Sequence, residues 1–332
     1  MKKFLSIFIF LFWVVILHFA FCLLPLDKAN ASSLSLGVFP PIIQIDATPP
    51  ADVSSPIEIQ NKSEDPVQLK IIFKAFKASP SENGTPEYLK DGVSFGDDPF
   101  FFQKVKILDG EDMVGSIELA PKQIKKLTLN INIPADQPPS DYYFSVLFIS
   151  KTQLEADTNN TQAAGGIGTN VLLTIGPKGT TTGVVKEFSA PFWLEKGPVP
   201  FTIRLANTSK HFINPKGQVL IKNMFGMTIG RVDLLPVNIL SNTVRFIPGD
   251  YSKTKNWKLE IGNWKMENAL WPESFLLGPY TANLTISLSE QGPILKKTVS
   301  FIGFPIATIL GLIIITILFL LIRNKVKRNL AK

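Results

Sequence analysis

Few residues of this chain could support acid–base or nucleophilic chemistry. The 332 residues include one cysteine, Cys22, and two histidines, His18 and His211. Cys22 and His18 lie in an apolar run near the N-terminus, so His211 is the one histidine beyond that run. A mature form cut after the run therefore has no disulfide framework, no cysteine-ligated metal and no pair of catalytic histidines.

One string, at residues 92–96, matches the Gly-x-Ser-x-Gly nucleophile elbow of serine hydrolases. That motif requires a sharp strand-to-helix turn on an α/β sheet and a histidine that follows an acidic residue. The sequence around Ser94 indicates neither a helix nor such a sheet, and His211 would be the only base. We therefore predict that the protein is not an enzyme and has no catalytic residues.

Two acidic clusters, at residues 97–98 and 109–112, could hold a hard cation because carboxylate oxygens are the preferred ligands of calcium. Both clusters lack the alternation of an EF-hand loop, so solvated turns are the favoured interpretation. A glycine-rich string at residues 165–168 lacks the spacing and the helix of a phosphate loop and is interpreted as a flexible hairpin connection. The sequence thus indicates no metal site and no cofactor.

The aromatic run Phe100, Phe101 and Phe102 supplies the candidate binding residues. In a strand, Phe100 and Phe102 would share one face and Phe101 would point to the other, because strand side chains alternate. Both faces would then need cover. A partner could provide it, since exposed apolar patches often mark interfaces, and an internal loop or the second domain could provide it equally well.

The elements that must position these residues are strands. Residues 32–302 contain many short β-branched or aromatic runs between Pro, Gly, Asn and Asp, and no convincing amphipathic helix. About nine strands precede a breaker-rich stretch near residue 178, and a second series follows it. We predict an all-β fold of two tandem immunoglobulin-like β-sandwiches, at residues 32–178 and 179–302.

The alternation of side chains also predicts what the strands bury. The predicted strands of the first sandwich are 34–38, 42–45, 57–60, 67–76, 103–108, 116–119, 126–133, 142–149 and 170–175. Those of the second begin near Gly183 and continue at 201–206, 218–223, 228–234, 243–246, 257–261, 280–287 and 296–301. On the strand at 142–149, the face with Tyr142 and Phe144 is predicted to be core. Tyr280 is predicted to form the aromatic corner that ties a late strand to a loop.

Three tryptophans, Trp257, Trp264 and Trp271, recur at intervals of seven residues. That spacing would align them on a helix, but the glycine, asparagine and proline between and after them argue against one. Core packing is the favoured interpretation, and an interfacial aromatic belt near a bilayer is the alternative.

Both ends of the chain predict membrane targeting. Two lysines, an apolar run and a small-x-small site identify residues 1–31 as a signal peptide, with an uncleaved N-terminal anchor as the alternative. The stretch 304–322, from Phe304 to Ile322, is uncharged and about 28 Å long as a helix, close to the hydrocarbon thickness. We predict a transmembrane helix at residues 303–322. Five cations and no acid follow it, so the tail at 323–332 is predicted to be cytoplasmic and residues 32–302 extracytoplasmic.

The net charge of 34 minus 27, or +7, does not indicate a nucleic-acid partner. Residues 1–31 contribute +2 and residues 323–332 contribute +5, so the part between them is neutral in sum. Within it, residues 32–178 sum to −6 and residues 179–322 to +6. The basic half could rest on anionic lipid or wall polymers, or the charges could simply be dispersed and solvated. The sequence leaves both open.

Several strings resemble the WxL-interacting protein family of bacterial surface proteins, over nearly the whole chain. In the first domain they are 36–43, 61–66, 133–134 and 138–143; in the second they are 196–201, 214–217, 221–226 and 278–282. The resemblance implies two immunoglobulin-like domains between a signal peptide and one membrane helix. It further implies that the first domain binds cell-wall peptidoglycan and that the second binds a host or partner protein, with secreted WxL-domain proteins among the partners. It carries over no binding residue.

The expected function is therefore that of a membrane-anchored cell-surface binding and scaffold protein that engages peptidoglycan and secreted or host proteins noncovalently. The alternative is a membrane-tethered assembly factor or chaperone that offers a sheet edge to secreted surface subunits. A carbohydrate-active enzyme is a third hypothesis, which turnover of wall fragments would support.

Overall fold

A computed structural model describes residues 34–90, 95, 98–150, 165–251 and 268–330. These residues form two β-sandwiches followed by one long apolar helix, which confirms the predicted all-β fold class. The predicted signal peptide, the predicted strand at 257–261 and two of the three tryptophans, Trp257 and Trp264, lie outside the described residues.

The first sandwich packs a five-stranded sheet against a six-stranded sheet. Its strands are β1 (Leu36–Phe39), β2 (Ile42–Ala47), β3 (Ala51–Asn61), β4 (Val67–Ala78), β5 (Pro86–Tyr88), β6 (Val105–Asp109), β7 (Asp112–Met113), β8 (Ser116–Leu119), β9 (Ile124–Ile133), β10 (Ser140–Ser150) and β11 (Gly166–Ile175). One sheet has the order β1-β3-β9-β6-β7, and the other has the order β2-β11-β10-β4-β5 with β8 beside β4.

Alternating side chains build the core of this sandwich. In β2, Ile43, Ile45 and Ala47 are buried while the residues between them are exposed. In β10, Tyr142 and Phe144 lie on a fully buried face together with Val146 and Phe148, as predicted. Each alternate position thus removes an apolar side chain from water, which is the main stabilising term for a sandwich without disulfides.

The glycine-rich string at 165–168 corrects one prediction. Gly166 and Gly168 are not a loop but the first part of β11, paired with the end of β10. A Cβ atom at either position would lie 2.8 Å from a carbonyl oxygen of β10, that of Phe148 or Val146. The glycines therefore allow the two backbones to pair closely, and the strand is four residues longer than predicted.

The second sandwich has a four-stranded and a five-stranded sheet among the described residues. Its strands are β12 (Gly183–Ser189), β13 (Trp193–Leu194), β14 (Val199–Asn207), β15 (Lys216–Lys222), β16 (Thr228–Asp233), β17 (Val244–Phe246), β18 (Ala269–Trp271), β19 (Gly278–Ser287) and β20 (Ile294–Gly303). One sheet has the order β12-β14-β17 with β18 beside β14, and the other has the order β13-β20-β19-β15-β16.

Both sandwiches begin with a strand that changes sheets. In the first, β1 pairs antiparallel with β3, and β2 then pairs parallel with the last strand, β11. In the second, β12 pairs antiparallel with β14, and β13 pairs parallel with β20. The switch lets one edge segment cover an edge of each sheet, which reduces the exposed backbone available for unwanted pairing.

The predicted aromatic corner and the predicted core tryptophan are both present in the second sandwich. The Tyr280 hydroxyl accepts a hydrogen bond from the Leu277 amide at 2.8 Å and lies 3.3 Å from the Leu277 carbonyl. Trp271 is buried, and its ring meets those of Tyr280 and Phe301. Of the three tryptophans, the one in the described residues is therefore a core residue and not part of an interfacial belt.

The chain leaves the second sandwich as the helix α1 (Ile306–Leu330). Phe304 still donates a backbone hydrogen bond to Leu194, and proline favours the first position of a helix. Helix α1 therefore begins three residues after the start of the predicted transmembrane helix at 303–322. The stretch Ile306–Asn324 is long and apolar enough to cross a membrane, and the sandwiches do not cover it. A single-pass membrane protein is compatible with this helix.

Candidate functional site

The structure places the three candidate phenylalanines in different environments. Phe101 begins a 3-10 helix (Phe101–Lys104) and is 1% exposed, Phe102 is partly buried against the same core, and Phe100 is 65% exposed. The strand interpretation is wrong, because the Gln103 amide donates to the Phe100 carbonyl three residues earlier and turns the chain. The Phe101 ring stacks on Tyr142 with centroids 4.4 Å apart. The first sandwich itself therefore covers Phe101 and Phe102.

Asp98 corrects the solvated-turn interpretation of the acidic pair at 97–98, because it is buried and forms an ion pair with Lys104. The Asp98 carboxylate accepts hydrogen bonds from Lys104 Nζ at 2.6 Å and from Gln137 Nε2 at 3.0 Å. Burial alone would raise the pKa of Asp98, but these two hydrogen bonds, the Lys104 charge and a backbone hydrogen bond together hold it below its usual value. Lys104 supplies the positive charge of the site.

The acidic run at 109–112 forms the tight connection between β6 and β7, as the solvated-turn interpretation predicts. Gly110 has a φ of +67°, a conformation that glycine adopts at little cost. Within the described residues, no three metal-ligating side chains come together at this or any other position.

His211 lies between the two sandwiches, and both of its ring nitrogens face a polar partner. Nε2 accepts a hydrogen bond from the Gly179 amide at 2.9 Å, so the proton of the neutral ring is on Nδ1, which lies 3.4 Å from Asp141 Oδ1. The ring thus joins the interdomain linker to the first sandwich. Ser94, the other member of the hydrolase hypothesis, lies outside the described residues.

The two sandwiches meet through a small apolar cluster. It forms where the outer face of the sheet that contains β4, β10 and β11 meets residues 208–213 and 238–246 of the second sandwich. The apolar side chains of this contact are Phe76, Tyr143, Leu172, Phe212 and Leu240. Because polar contacts surround the cluster, the interface has both an apolar centre and specific hydrogen bonds.

An ion pair fixes one side of the interface. Arg204 donates to both carboxylate oxygens of Glu82 at 2.7 Å, and the Phe246 amide donates to the Glu82 carbonyl at 2.9 Å. The hydrogen bond from Arg204 holds the pKa of Glu82 below its usual value. A two-point contact of this kind specifies orientation as well as proximity. It therefore limits rotation of one sandwich against the other.

A buried carboxylate fixes the other side. The Asp141 side chain is 4% exposed and accepts hydrogen bonds from the Phe212 amide at 2.6 Å, the Thr174 hydroxyl at 2.9 Å and the Tyr143 hydroxyl. The Tyr143 oxygen also accepts from the Ser241 amide of the second sandwich. Burial and the neighbouring Asp141 charge raise the pKa of Tyr143, so the phenol stays protonated.

Beside these contacts lies a cleft that opens to solvent. Apolar side chains of both sandwiches line it, among them Ile42, Phe76 and Leu240, and the charged side chains of Glu82 and Arg245 line it as well. Arg245 Nη1 donates to the Asn238 carbonyl at 2.5 Å, whereas the buried Nε atom has no hydrogen-bond partner among the described residues. Burial lowers the pKa of Arg245.

Arg245 gives the cleft a cationic group beside apolar side chains. A guanidinium at an apolar wall can pair with a carboxylate through its fork of N–H donors. Arg245 could not be identified from the sequence, because residues 243–246 fit an ordinary strand and no local pattern shows which side chain of that strand faces another domain. The Glu82–Arg204 pair was missed for the same reason, since 122 residues separate its members.

No protein-family model matches the chain, and no curated protein matches it. Among solved structures, it is similar to a chain of the chaperone–tip adhesin complex of CFA/I fimbriae, with 10% identity over 80% of this chain and 98% of that chain, at a TM-score of 0.36. It is also similar to the class 5 fimbriae chaperone CfaA (11% identity, 82% and 100% covered, TM-score 0.35) and to the E. coli chaperone DraB (9%, 80% and 98%, TM-score 0.32). Likeness at this level assigns neither a family nor a function.

Proposed function

We propose that this chain is a single-pass membrane protein that presents a rigid pair of β-sandwiches outside the cell as a noncovalent binding scaffold. The observation that carries the proposal is the junction with α1. The Ile302 amide donates to the Phe192 carbonyl at 2.8 Å, the Phe304 amide to the Leu194 carbonyl at 2.9 Å, and the Ala307 amide to Glu195 Oε1 at 2.7 Å. The apolar helix is therefore a direct extension of the second sandwich.

The orientation of the chain follows from its charges. Residues 323–332 carry five cations and no acid, and such segments stay in the cytoplasm. The two sandwiches then lie on the extracytoplasmic side. With the interdomain ion pair and the buried Asp141 in place, the scaffold holds a fixed relation between the membrane and the first sandwich.

The proposed ligands rest on the resemblance to WxL-interacting proteins. We propose that the first sandwich engages peptidoglycan and that the second engages secreted WxL-domain or host proteins. Phe100 is the exposed member of the candidate aromatic run and is therefore the first residue to test in a contact of the first sandwich.

The test is retention of the full chain, reconstituted in lipid nanodiscs, by purified peptidoglycan and by a secreted WxL-domain protein. We expect co-sedimentation with peptidoglycan well above that of empty nanodiscs, weakened by Phe100→Ser and unchanged by Ile294→Ser, an exposed apolar position of the second sandwich. If the chain binds neither peptidoglycan nor the WxL-domain protein, the scaffold proposal is contradicted.

The cleft favours the second candidate function, an assembly factor for secreted surface subunits. Arg245 has no ion-pair partner among the described residues and lies at an apolar wall, so it could hold the carboxylate of an extended client chain. Arg245→Leu should then abolish secretion of the client and leave peptidoglycan binding intact. Arg231→Leu, at an exposed arginine paired with Asp233, is the control. Normal secretion with Arg245→Leu would exclude this function of the cleft.

A further inference from the structure

We infer that the end of the second sandwich next to α1 rests on the bilayer and inserts exposed apolar loop side chains into the lipid interface. This inference rests on the membrane anchoring proposed above. We define the apolar collar as the eight large apolar residues exposed at this end, each at least 41% exposed: Phe192, Trp193, Met224, Phe225, Met227, Phe275, Leu277 and Phe304.

The first segment of the collar is the turn between β15 and β16. β15 ends at Lys222, opposite Thr281 near the start of β19. The Asn223 side chain accepts hydrogen bonds from the amides of Phe225 and Met227, at 3.0 and 3.1 Å. The polar side chain of Asn223 therefore stabilises the turn, while its apolar side chains are largely exposed. Phe225 is 77% exposed.

Two further segments reach the same end through strand pairing. Gly278, the first residue of β19, pairs with Gly303, the last residue of β20, so the loop before β19 that contains Phe275 and Leu277 lies beside the exit of the chain. β13 pairs parallel with Ile302 and Gly303 and brings Phe192 and Trp193 to the same place. A Cβ atom built on Gly278 would lie 3.2 Å from Met224 Cε, which places the β15–β16 turn next to this exit as well.

The length of α1 sets the position of the bilayer. The 19 residues Ile306–Asn324 span roughly 28 Å as a helix, which matches a hydrocarbon core of about 30 Å. Ile306 must then lie at the hydrocarbon boundary. Only Phe304 and Pro305 separate it from β20, and three hydrogen bonds tie this junction to β13 and Glu195. The sandwich has no spacer that could hold the collar away from the headgroups.

The chemistry of the collar matches a lipid interface. Tryptophan and other aromatic side chains are favoured at the level of the headgroups, and apolar loop side chains gain free energy when they leave water there. Contiguous exposed apolar patches are uncommon on soluble proteins. Trp271 is a core residue and does not belong to the collar, and Trp257 and Trp264 lie outside the described residues.

The experiment measures membrane depth at single labelled positions in the full chain. The chain is placed in nanodiscs of phosphatidylcholine and phosphatidylglycerol, in a Cys22→Ser background. A cysteine at Phe225, Phe192, Ile294 or Leu312 is labelled with the polarity-sensitive fluorophore NBD. Ile294 is an exposed apolar residue at the opposite end of β20, and Leu312 lies within α1. Quenching is compared between lipids with a nitroxide at the headgroup and lipids with a nitroxide deep in the acyl chain.

We expect the labels at Phe225 and Phe192 to show blue-shifted emission and strong quenching by headgroup nitroxides, with no quenching at Ile294. The label at Leu312 should be quenched by the deep nitroxide. Quenching at Leu312 combined with water-like emission at both collar positions would overturn the inference and leave membrane anchoring intact. Absence of quenching at Leu312 would overturn the anchoring itself, and the inference with it.

Discussion

The two ends of the second sandwich carry different kinds of side chain. At the end where β15 begins, polar groups are paired across the interface with the first sandwich, as in the Glu82–Arg204 ion pair and the hydrogen bonds to Asp141. At the end where β15 finishes, large apolar side chains are exposed around the start of α1. Paired polar groups fix one protein surface against another. The exposed apolar collar, by contrast, would be more stable in contact with lipid than with water. One end is therefore a protein interface, and the other is the end that we propose to be a lipid interface.

The largest expected effect comes from removing the carboxylate at the interdomain end. Asp141→Ala leaves the Phe212 amide and the Thr174 and Tyr143 hydroxyls without their acceptor in a buried site. We expect the free energy of unfolding to fall by about 3 kcal/mol, measured by denaturant titration of the full chain in detergent. Asp46→Ala removes an exposed ion pair with Lys178 and serves as the control. Equal losses in the free energy of unfolding for the two substitutions would show that the hydrogen bonds of Asp141 do not stabilise the interface.

A smaller effect is expected at the helix end, where Tyr280 ties the loop before β19. Tyr280→Phe removes the hydroxyl that bonds to the Leu277 backbone and should reduce the free energy of unfolding by about 1 kcal/mol. Tyr88→Phe, at an exposed position, should have little effect. In Tyr280→Phe, the backbone amides of the loop before β19 should also lose protection in hydrogen exchange. Unchanged protection would show that Tyr280 does not stabilise this loop.

The Glu82–Arg204 pair gives the interdomain end a pH dependence. The pKa of Glu82 is lower in the folded protein than in the unfolded chain, where it is about 4.3. The ion pair therefore stabilises the interface fully above about pH 4.3, and this stabilisation is lost as the pH falls through the lower pKa of the folded state. Because both side chains are partly exposed, the expected loss is about 0.5–1 kcal/mol.

Glu82→Gln should reduce the dependence of the free energy of unfolding on pH between roughly pH 5 and 3. Glu64→Gln, which alters an exposed pair with Lys122, should not. If Glu82→Gln leaves the pH dependence of the free energy of unfolding unchanged below about pH 5, the ion pair contributes nothing to the orientation of the sandwiches.

The smallest expected effect on stability lies in the collar. Phe225→Ser should change the free energy of unfolding in detergent by less than about 0.5 kcal/mol, since the side chain is exposed. The same substitution at Phe212, buried at the interdomain end, should cost more than about 2 kcal/mol. A large loss with Phe225→Ser would mean that the collar supports the fold rather than facing lipid.

Much of the fold follows from local sequence patterns. Alternation predicted the buried face of β10, and the Gly-Pro-Tyr string predicted the corner at Tyr280, because both depend on neighbours within one strand or loop. The apolar stretch after β20 predicted α1 for the same reason. The helix begins later than predicted because backbone pairing with β13 continues through Phe304.

The candidate site could not be predicted in the same way. The run at Phe100 has an apolar composition that fits a strand, but a hydrogen bond three residues back converts it into a 3-10 helix. The contact between Asp141 and Phe212 joins residues 71 positions apart, and no local pattern indicates it. The collar gathers side chains from four separated segments that are adjacent only after the strands pair.

We propose that α1 anchors two sandwiches that lie outside the cell, and this topology can be measured. It is tested most directly by labelling intact cells with a membrane-impermeant maleimide, in a Cys22→Ser background with a single cysteine at Ile294 or at Lys332. We expect the Ile294→Cys chain to be labelled on intact cells and the Lys332→Cys chain to be labelled only after permeabilisation. Labelling of both chains, or of the Lys332→Cys chain alone, on intact cells would contradict it.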